Sequence, residues 1–326
     1  MFARSLLLLV LIPLHAFAEE PSAKVVPFLA YDRAIEMKLG TARAVIGPQA
    51  GGRVLEFSID GKHAMYLDPN EKNYTPGKPA SISAGRFDYG PELTVIAHPA
   101  IWSGDWTAEI VGTNVKLTSP QDGGMQLVRE FSFTTHEKSV GLACKQTMIN
   151  ISKETREVCH WGRSFSPGGG ICLIPLGDKP SRFPSKYAMY EDYAIINVRN
   201  ADDTIRERDG FLEILAPPRK PKLGFDTYAG WLGYALPNDT LFVKKFATHP
   251  DRVYNEAAGL TLSVWYPTGP RIELEPIGPR ERLKPGESAA FTEVWWLLAH
   301  PFPKPGDRLD LKKLSEQVGK ETAAVK

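Results

Sequence analysis

Ala42-Arg43-Ala44-Val45-Ile46, the turn Gly47-Pro48-Gln49-Ala50-Gly51, then Arg53-Val54-Leu55-Glu56-Phe57-Ser58-Ile59 and Asp60-Gly61 set the pattern that decides the fold. An extended run meets a turn built from Gly and Pro, and a second extended run follows. Asp60-Gly61 then closes it with the strongest two-residue hairpin signal a sequence carries. The same grammar recurs along the chain. Trp106–Val111 and Val115–Thr118 flank Gly112-Thr113-Asn114 as a further hairpin. Met125–Phe133 alternates, with Met125, Leu127, Phe131 and Phe133 on one face and Arg129 interrupting it. Val140–Asn150, Arg156–Trp161, Phe211–Leu215, Trp231–Ala235, Leu241–Phe246, Leu260–Tyr266, Arg271–Pro276 and Ala289–Ala299 read as strands too.

Helical periodicity is scarce. Only Leu311–Val318 reads as a helix, with Asp310 as N-cap and Gly319 as its stop. Many short strands with turns between them point to an all-β sandwich or barrel rather than an α/β fold. No linker, low-complexity tract or charge run divides the chain, so residues 19–326 are expected to form a single large domain with a short C-terminal helix.

Residues 1–18 stand apart. Arg4 is their only full charge, Leu6–Leu14 is apolar, and Ala16-Phe17-Ala18 is a small-x-small cleavage signature before Glu19-Glu20. These are the three parts of a secretory signal peptide. The apolar run is much shorter than the roughly 20 residues that span a bilayer, and Pro13 interrupts it. No second run approaches that length, so the expected protein is periplasmic or secreted and has no membrane span.

The chain of 326 residues has a net charge of +1 with acids and bases interleaved, which gives no electrostatic footprint for nucleic acid. Three cysteines, Cys144, Cys159 and Cys172, are too few for a disulfide scaffold. An oxidising compartment allows one bridge with the pairing left open, and three buried thiols fit equally well. No metal-binding spacing and no cofactor motif occurs, and the sequence leaves the oligomeric state open.

Three segments resemble one family. Val45-Ile46-Gly47-Pro48-Gln49-Ala50-Gly51-Gly52-Arg53-Val54 is similar to the opening hairpin of the galactose mutarotase-like (aldose 1-epimerase-like) superfamily. Gly85-Arg86-Phe87-Asp88-Tyr89-Gly90-Pro91-Glu92 resembles the Pro-Glu-containing loop of a branch of unknown function. Arg271–Pro276, Leu283-Lys284-Pro285-Gly286-Glu287 and Glu293-Val294-Trp295-Trp296 resemble the closing strands. The resemblance implies a β-supersandwich and a carbohydrate ligand.

It also implies proton transfer between a Glu base and a His acid. Glu273 and Glu275, two apart, share one face of a strand, with Ile272 and Leu274 on the other. Two carboxylates so placed raise one another's pKa, although a solvated face with Arg271 paired to Glu273 fits the same pattern. His160, in Cys159-His160-Trp161-Gly162-Arg163, is the preferred acid; Trp161 and Arg163 suit sugar binding. His98 is a second candidate. Arg86, Asp88 and Glu92 are further binding candidates, and a bidentate Arg86 favours a uronic acid. Trp102, Trp106 and Trp231 are potential stacking platforms, whereas adjacent Trp295 and Trp296 must face opposite ways. The Asn-His and His-x-Gly patterns of true epimerases are missing, which tilts the expectation toward an exported carbohydrate-binding protein. An active epimerase and a structural envelope β-sandwich are the alternatives.

Expression of the full chain in a Gram-negative host is expected to yield a periplasmic product whose first residue is Glu19. N-terminal sequencing that finds Met1 retained overturns the leader.

Overall fold

A computed structural model describes residues 20–191 and 195–325, so the leader expected at Met1–Ala18 lies outside the described residues. Those residues build two large antiparallel sheets. In spatial order the first sheet runs Ser22–Phe28, Tyr31–Leu39, Ala42–Gly47, Arg53–Ile59, Gly85–Gly90, Arg156–Pro167, Arg271–Pro276, Leu262–Trp265, Lys222–Phe225, Ala188–Glu191, Ile195–Asn197. The second runs Ile205–Arg208, Phe211–Ile214, Ile171–Pro175, Trp231–Leu236, Thr240–Phe246, Ser288–Ala299, Ser139–Asn150, Met125–His136, Asn114–Thr118, Thr107–Val111.

The opening hairpin forms as its residues dictate. Asp60 and Gly61 take φ of 52° and 73°, the left-handed pair that a two-residue turn between twisted strands requires. Gly51 and Gly52 are also left-handed, and a Cβ on Gly51 would lie 2.1 Å from the Trp102 carbonyl oxygen. Glycine is the residue that fits there. The following Arg53 is fully buried, forking onto Glu71 at 2.6 and 3.0 Å and donating to Tyr31 Oη at 2.8 Å.

The sandwich core lies between the sheets. Phe87 stacks on Trp295 with ring centroids 5.4 Å apart, and Phe242 meets the same indole edge-on at 5.7 Å. Trp296 faces the other way, as adjacent strand residues must. It is buried with Leu241, Val243 and Leu298 against Leu311, Leu314 and Val318 of the C-terminal helix. That helix, Leu311–Glu321, starts where expected, with Asp310 accepting from the Lys313 N–H at 3.0 Å. It does not stop at Gly319: the glycine meets no neighbour, retains helical pairing, and the chain leaves the helix at Thr322.

Other expectations need correction. Gly85–Gly90 is a central strand rather than a loop, because both faces of the sheet are covered there and its alternation is hidden. Arg156–Pro167 continues well past Trp161. His98 caps the short helix Pro99–Ser103. All three cysteines are buried free thiols.

A polar chain crosses the apolar core. Arg129 Nε donates to Gln146 Oε1 at 2.8 Å, which orients the amide, and Gln146 Nε2 faces His160 Nδ1 at 3.2 Å. His160 Nδ1 is therefore the acceptor, and Nε2–H donates to Glu293 Oε1 at 2.9 Å. Lys244 Nζ and Trp295 Nε1 complete the Glu293 carboxylate at 2.9 and 2.8 Å. Burial opposes charge on Glu293, but Lys244 and then His160 hold its pKa down at about 2. Burial pushes His160 below its ordinary value in spite of Glu293, consistent with a neutral imidazole.

Lys244→Met leaves Glu293 without its cation and is expected to cost about 3–5 kcal/mol in urea unfolding. Lys244→Met combined with Glu293→Leu is expected to recover part of that loss. Stability tied to Glu293 is complete above its unfolded value of 4.5 and is lost as pH falls toward about 2. A parent and a Lys244→Met variant with equal unfolding midpoints overturn this account.

Candidate functional site

Residues facing each other across antiparallel strands share a face, so the register identifies what lies on the outside of the first sheet. Trp161 sits opposite Asp88, and Arg163 opposite Arg86. Glu273 lies opposite Phe165 and Trp265, and Glu275 opposite Ser263. Lys222 lies opposite Trp265 and Tyr190. The central strands thus carry indole, guanidinium, carboxylate, ammonium and phenol groups on one outer face, while Ile272 and Leu274 point into the core.

The expected carboxylate pair is present and buried. Arg163 Nε donates to Glu273 Oε1 at 2.9 Å, and Arg163 Nη1 lies 3.9 Å from Glu92 Oε1. Arg271 does not pair with Glu273; it lies 3.9 Å from Asp68. Lys222 Nζ donates to both oxygens of Glu275 at 2.7 and 2.6 Å, and Trp161 Nε1 donates to it at 2.8 Å. Burial opposes ionisation of both carboxyls. Arg163 and Lys222 prevail at Glu273 and lower it, whereas burial and the Glu273 charge raise Glu275. One site therefore holds a carboxylate beside a carboxyl that retains its proton more readily.

Cations and rings alternate across this face. The Arg86 guanidinium lies 4.3 Å from the Trp102 ring centre, and Arg163 lies 5.0 Å from Trp102 and 4.7 Å from Trp161. Lys222 Nζ ends the row 5.3 Å from Trp161. Nothing in the sequence marks Lys222, Tyr190 and Glu256 for this face. Lys222 follows Pro221 on a four-residue strand too short to show alternation, and Glu256 lies in a loop with no pattern at all.

Glu256 is buried beside the Glu92 loop, where its carboxylate accepts the Glu92 N–H at 2.9 Å. Burial lifts its pKa to about 7; the Glu92 N–H bond lowers it, and the Glu92 charge raises it. Glu92, Leu93, Trp161, Tyr190, Lys222, Glu256, Ala257 and neighbouring residues enclose a cavity of about 30 Å³.

The expected histidine acid does not join this site. His160 faces the sandwich interior, on the opposite side of the strand from Trp161 and Arg163, stacked on Phe291 at 4.4 Å. Strand alternation separates it from Glu273 and Glu275 by the thickness of the sheet. His98 straddles the sheet margin: Nε2 lies 2.7 Å from Asp88 Oδ1 of the outer face, while the ring stacks at 4.2 Å on Tyr89, which faces the core opposite His160. Burial lowers its pKa, but Asp88 outweighs burial and raises it. Arg86 is 1 % exposed under Trp102 and donates to the carbonyls of Trp102 and Ser81 at 2.9 and 2.8 Å. It cannot also present a fork to a ligand carboxylate. Trp106 is buried over Arg129, and Trp231 packs edge-on against Phe211 at the second sheet, so neither lines this site. Among the described residues no group of three or more His, Cys, Asp or Glu side chains is placed to hold a metal.

No protein-family model and no curated protein sequence matches this chain. Solved structures do. A galactose mutarotase-like protein from Lactobacillus casei aligns over 81% of this chain and 99% of its own, with TM-score 0.56 and 12% identity. A galactose mutarotase-like protein from Clostridium acetobutylicum aligns over 86% and 99%, with TM-score 0.53 and 11% identity. A galactose mutarotase related enzyme from Lactobacillus acidophilus gives 83%, 99%, 0.54 and 10%. The chain has the galactose mutarotase-like fold. Within this galactose mutarotase-like sandwich, the polar outer face just described is carried by the central strands of the larger sheet.

Glu256 carries a folded-state pKa above its unfolded value of 4.5, so the stability linked to it is complete below 4.5 and is lost as pH rises through about 7. Glu256→Gln keeps an acceptor for the Glu92 N–H and is expected to flatten that decline, with a higher Tm than the parent at pH 8. Parallel Tm profiles for the two proteins overturn the assignment.

Proposed function

We propose that this chain is an exported protein that binds a carbohydrate on the outer face of its larger sheet, around Trp161. One observation carries the reading. Two carboxylates on one strand, Glu273 and Glu275, are held beside an indole by Arg163 and Lys222, on the face directed away from the core. A sugar offers hydroxyls that exchange hydrogen bonds with charged groups; Trp161, 2% exposed, supports the carboxylates through its N–H to Glu275. Desolvation of these ions is costly, which favours a role for them beyond holding the sandwich together. The names of the structural relatives, galactose mutarotase-like or related, support a sugar as the ligand class. The leader-like segment at Met1–Ala18 supports a periplasmic or secreted location.

Turnover is the second reading, and a specific arrangement favours it. Glu273 is the carboxylate and Glu275 the more readily protonated acid, so the pair has the unequal proton affinities that general acid–base chemistry uses. His98, at the sheet margin, is bonded to Asp88 of this face. His160 takes no part in it. A uronic acid is the less suited substrate, because Arg163 is already paired and Arg86 is sealed beneath Trp102.

A thermal-shift screen of the mature protein is expected to show a Tm rise with at least one free monosaccharide or oligosaccharide, by mass action. Trp161→Ala is expected to abolish that rise while the unliganded protein keeps a cooperative transition. Ligand-dependent shifts that survive Trp161→Ala move the site elsewhere. Optical rotation of a freshly dissolved anomer separates the two readings: accelerated interconversion that is lost in Glu275→Gln establishes turnover.

A further inference from the structure

We propose that the cavity between the Glu92 and Glu256 loops seats the ammonium group of an amino sugar, making a sugar with a free amine the preferred ligand. The inference rests on the reading that this face binds a carbohydrate, and it names the class.

Size comes first. A cavity of about 30 Å³ admits one or two water-sized groups and excludes a sugar ring. What enters it is a single substituent of a ring lying outside, and an ammonium has the size of a water molecule.

Charge comes second. Among the described residues, the cations nearest the cavity are already committed: Arg163 to Glu273, Lys222 to both oxygens of Glu275, and Arg86 to two backbone carbonyls. The carboxylates of the cavity are less so. Glu256 accepts a backbone N–H from Glu92, and the Glu92 carboxylate lies 3.9 Å from Arg163. Lys222 lines the cavity, but its Nζ is directed to both oxygens of Glu275. A uronate entering here would meet carboxylates with no free cation, whereas an ammonium meets two.

The third observation is independent of these charges. Tyr190 lines the same cavity, is 8% exposed, and its Oη is buried without a hydrogen-bond partner among the described residues. A buried hydroxyl left unpaired is costly and marks a place where a polar group is missing. The charges acting on that hydroxyl are those of Glu256, Glu275 and Glu92, which places the phenol among the carboxyls. An ammonium has three N–H donors, and Glu92, Glu256 and Tyr190 Oη supply three oxygen acceptors.

The groups that set the protonation of Glu256 are Glu92, Lys222 and Arg163, with Tyr190 and the Cys159 thiol also feeling its charge. An incoming ammonium favours the ionised carboxylate, so binding of the amine displaces a proton from Glu256.

The test is calorimetric titration of the mature protein with glucosamine and galactosamine, their N-acetyl forms, glucose and galactose, and the two corresponding uronates. The free-amine sugars are expected to bind roughly tenfold or more tightly than their N-acetyl and neutral counterparts, as charge-assisted hydrogen bonds warrant, with uronates weakest. Glu256→Gln is expected to erase that preference. Should Glu256→Gln fold poorly, Tyr190→Phe removes one oxygen and is expected to narrow the preference. Neutral sugars or uronates binding as tightly as the amines overturn this inference and leave the carbohydrate site standing. An amine preference undiminished in both variants also overturns it. Failure of every sugar to bind overturns the carbohydrate site and the amine pocket together.

Discussion

Everything in this sandwich is registered against the buried contact between Glu293 and its partners. Apolar side chains can slide against one another at little cost, but an ionised carboxylate in a dry core has few tolerable positions. Glu293 on the second sheet is matched by Lys244 of a neighbouring strand and by His160 of the opposite sheet. Gln146 extends the chain to Arg129, which donates at 2.6 and 2.9 Å to the carbonyls of Gly51 and Gly52. The hairpin turn, both sheets and the last long strand are thus tied to one polar thread. Glycine at 162 belongs to the same constraint: a Cβ there would lie 1.9 Å from Glu293 Oε1.

That constraint also explains how one strand supports two kinds of chemistry. Along Arg156–Pro167, His160 serves the core thread, while Trp161 and Arg163 serve the outer face. Alternation keeps the two polar systems apart by the thickness of a sheet. The core system fixes where the strand lies, and the outer system inherits its precision from it. A site mounted on central strands with buried ion pairs is held more rigidly than one built on loops.

The sequence shows much of this and hides the rest for definite reasons. Arg53–Ile59 and Arg271–Pro276 form the strands their alternation predicts, with the same ends. Glu273 and Glu275 share a face because a period of two is a local property. Which residue stands opposite them is not local. Lys222 and Tyr190 arrive on strands that pair with partners distant in the chain, and nothing in their immediate neighbours records that pairing. His160 misleads for a related reason. Its neighbours Trp161 and Arg163 are binding residues by type, but adjacency along a strand means opposite faces, so the histidine nearest in sequence is excluded from their company. Gly85–Gly90 conceals itself because burial on both sides removes the polar-apolar alternation that marks a strand.

The row of cations and rings has a mechanical meaning. The indole of Trp102 lies over the cross-strand pair Arg86 and Arg163, and its carbonyl is closed over Gly51. His98 is fastened to Asp88 a few residues earlier. The connection after Gly90 is therefore pinned from His98 onward, while at Glu92 its tie to the facing loop is one N–H donated to Glu256. The segment is sewn along one margin and buttoned at the other, and the button is the Glu256 carboxyl.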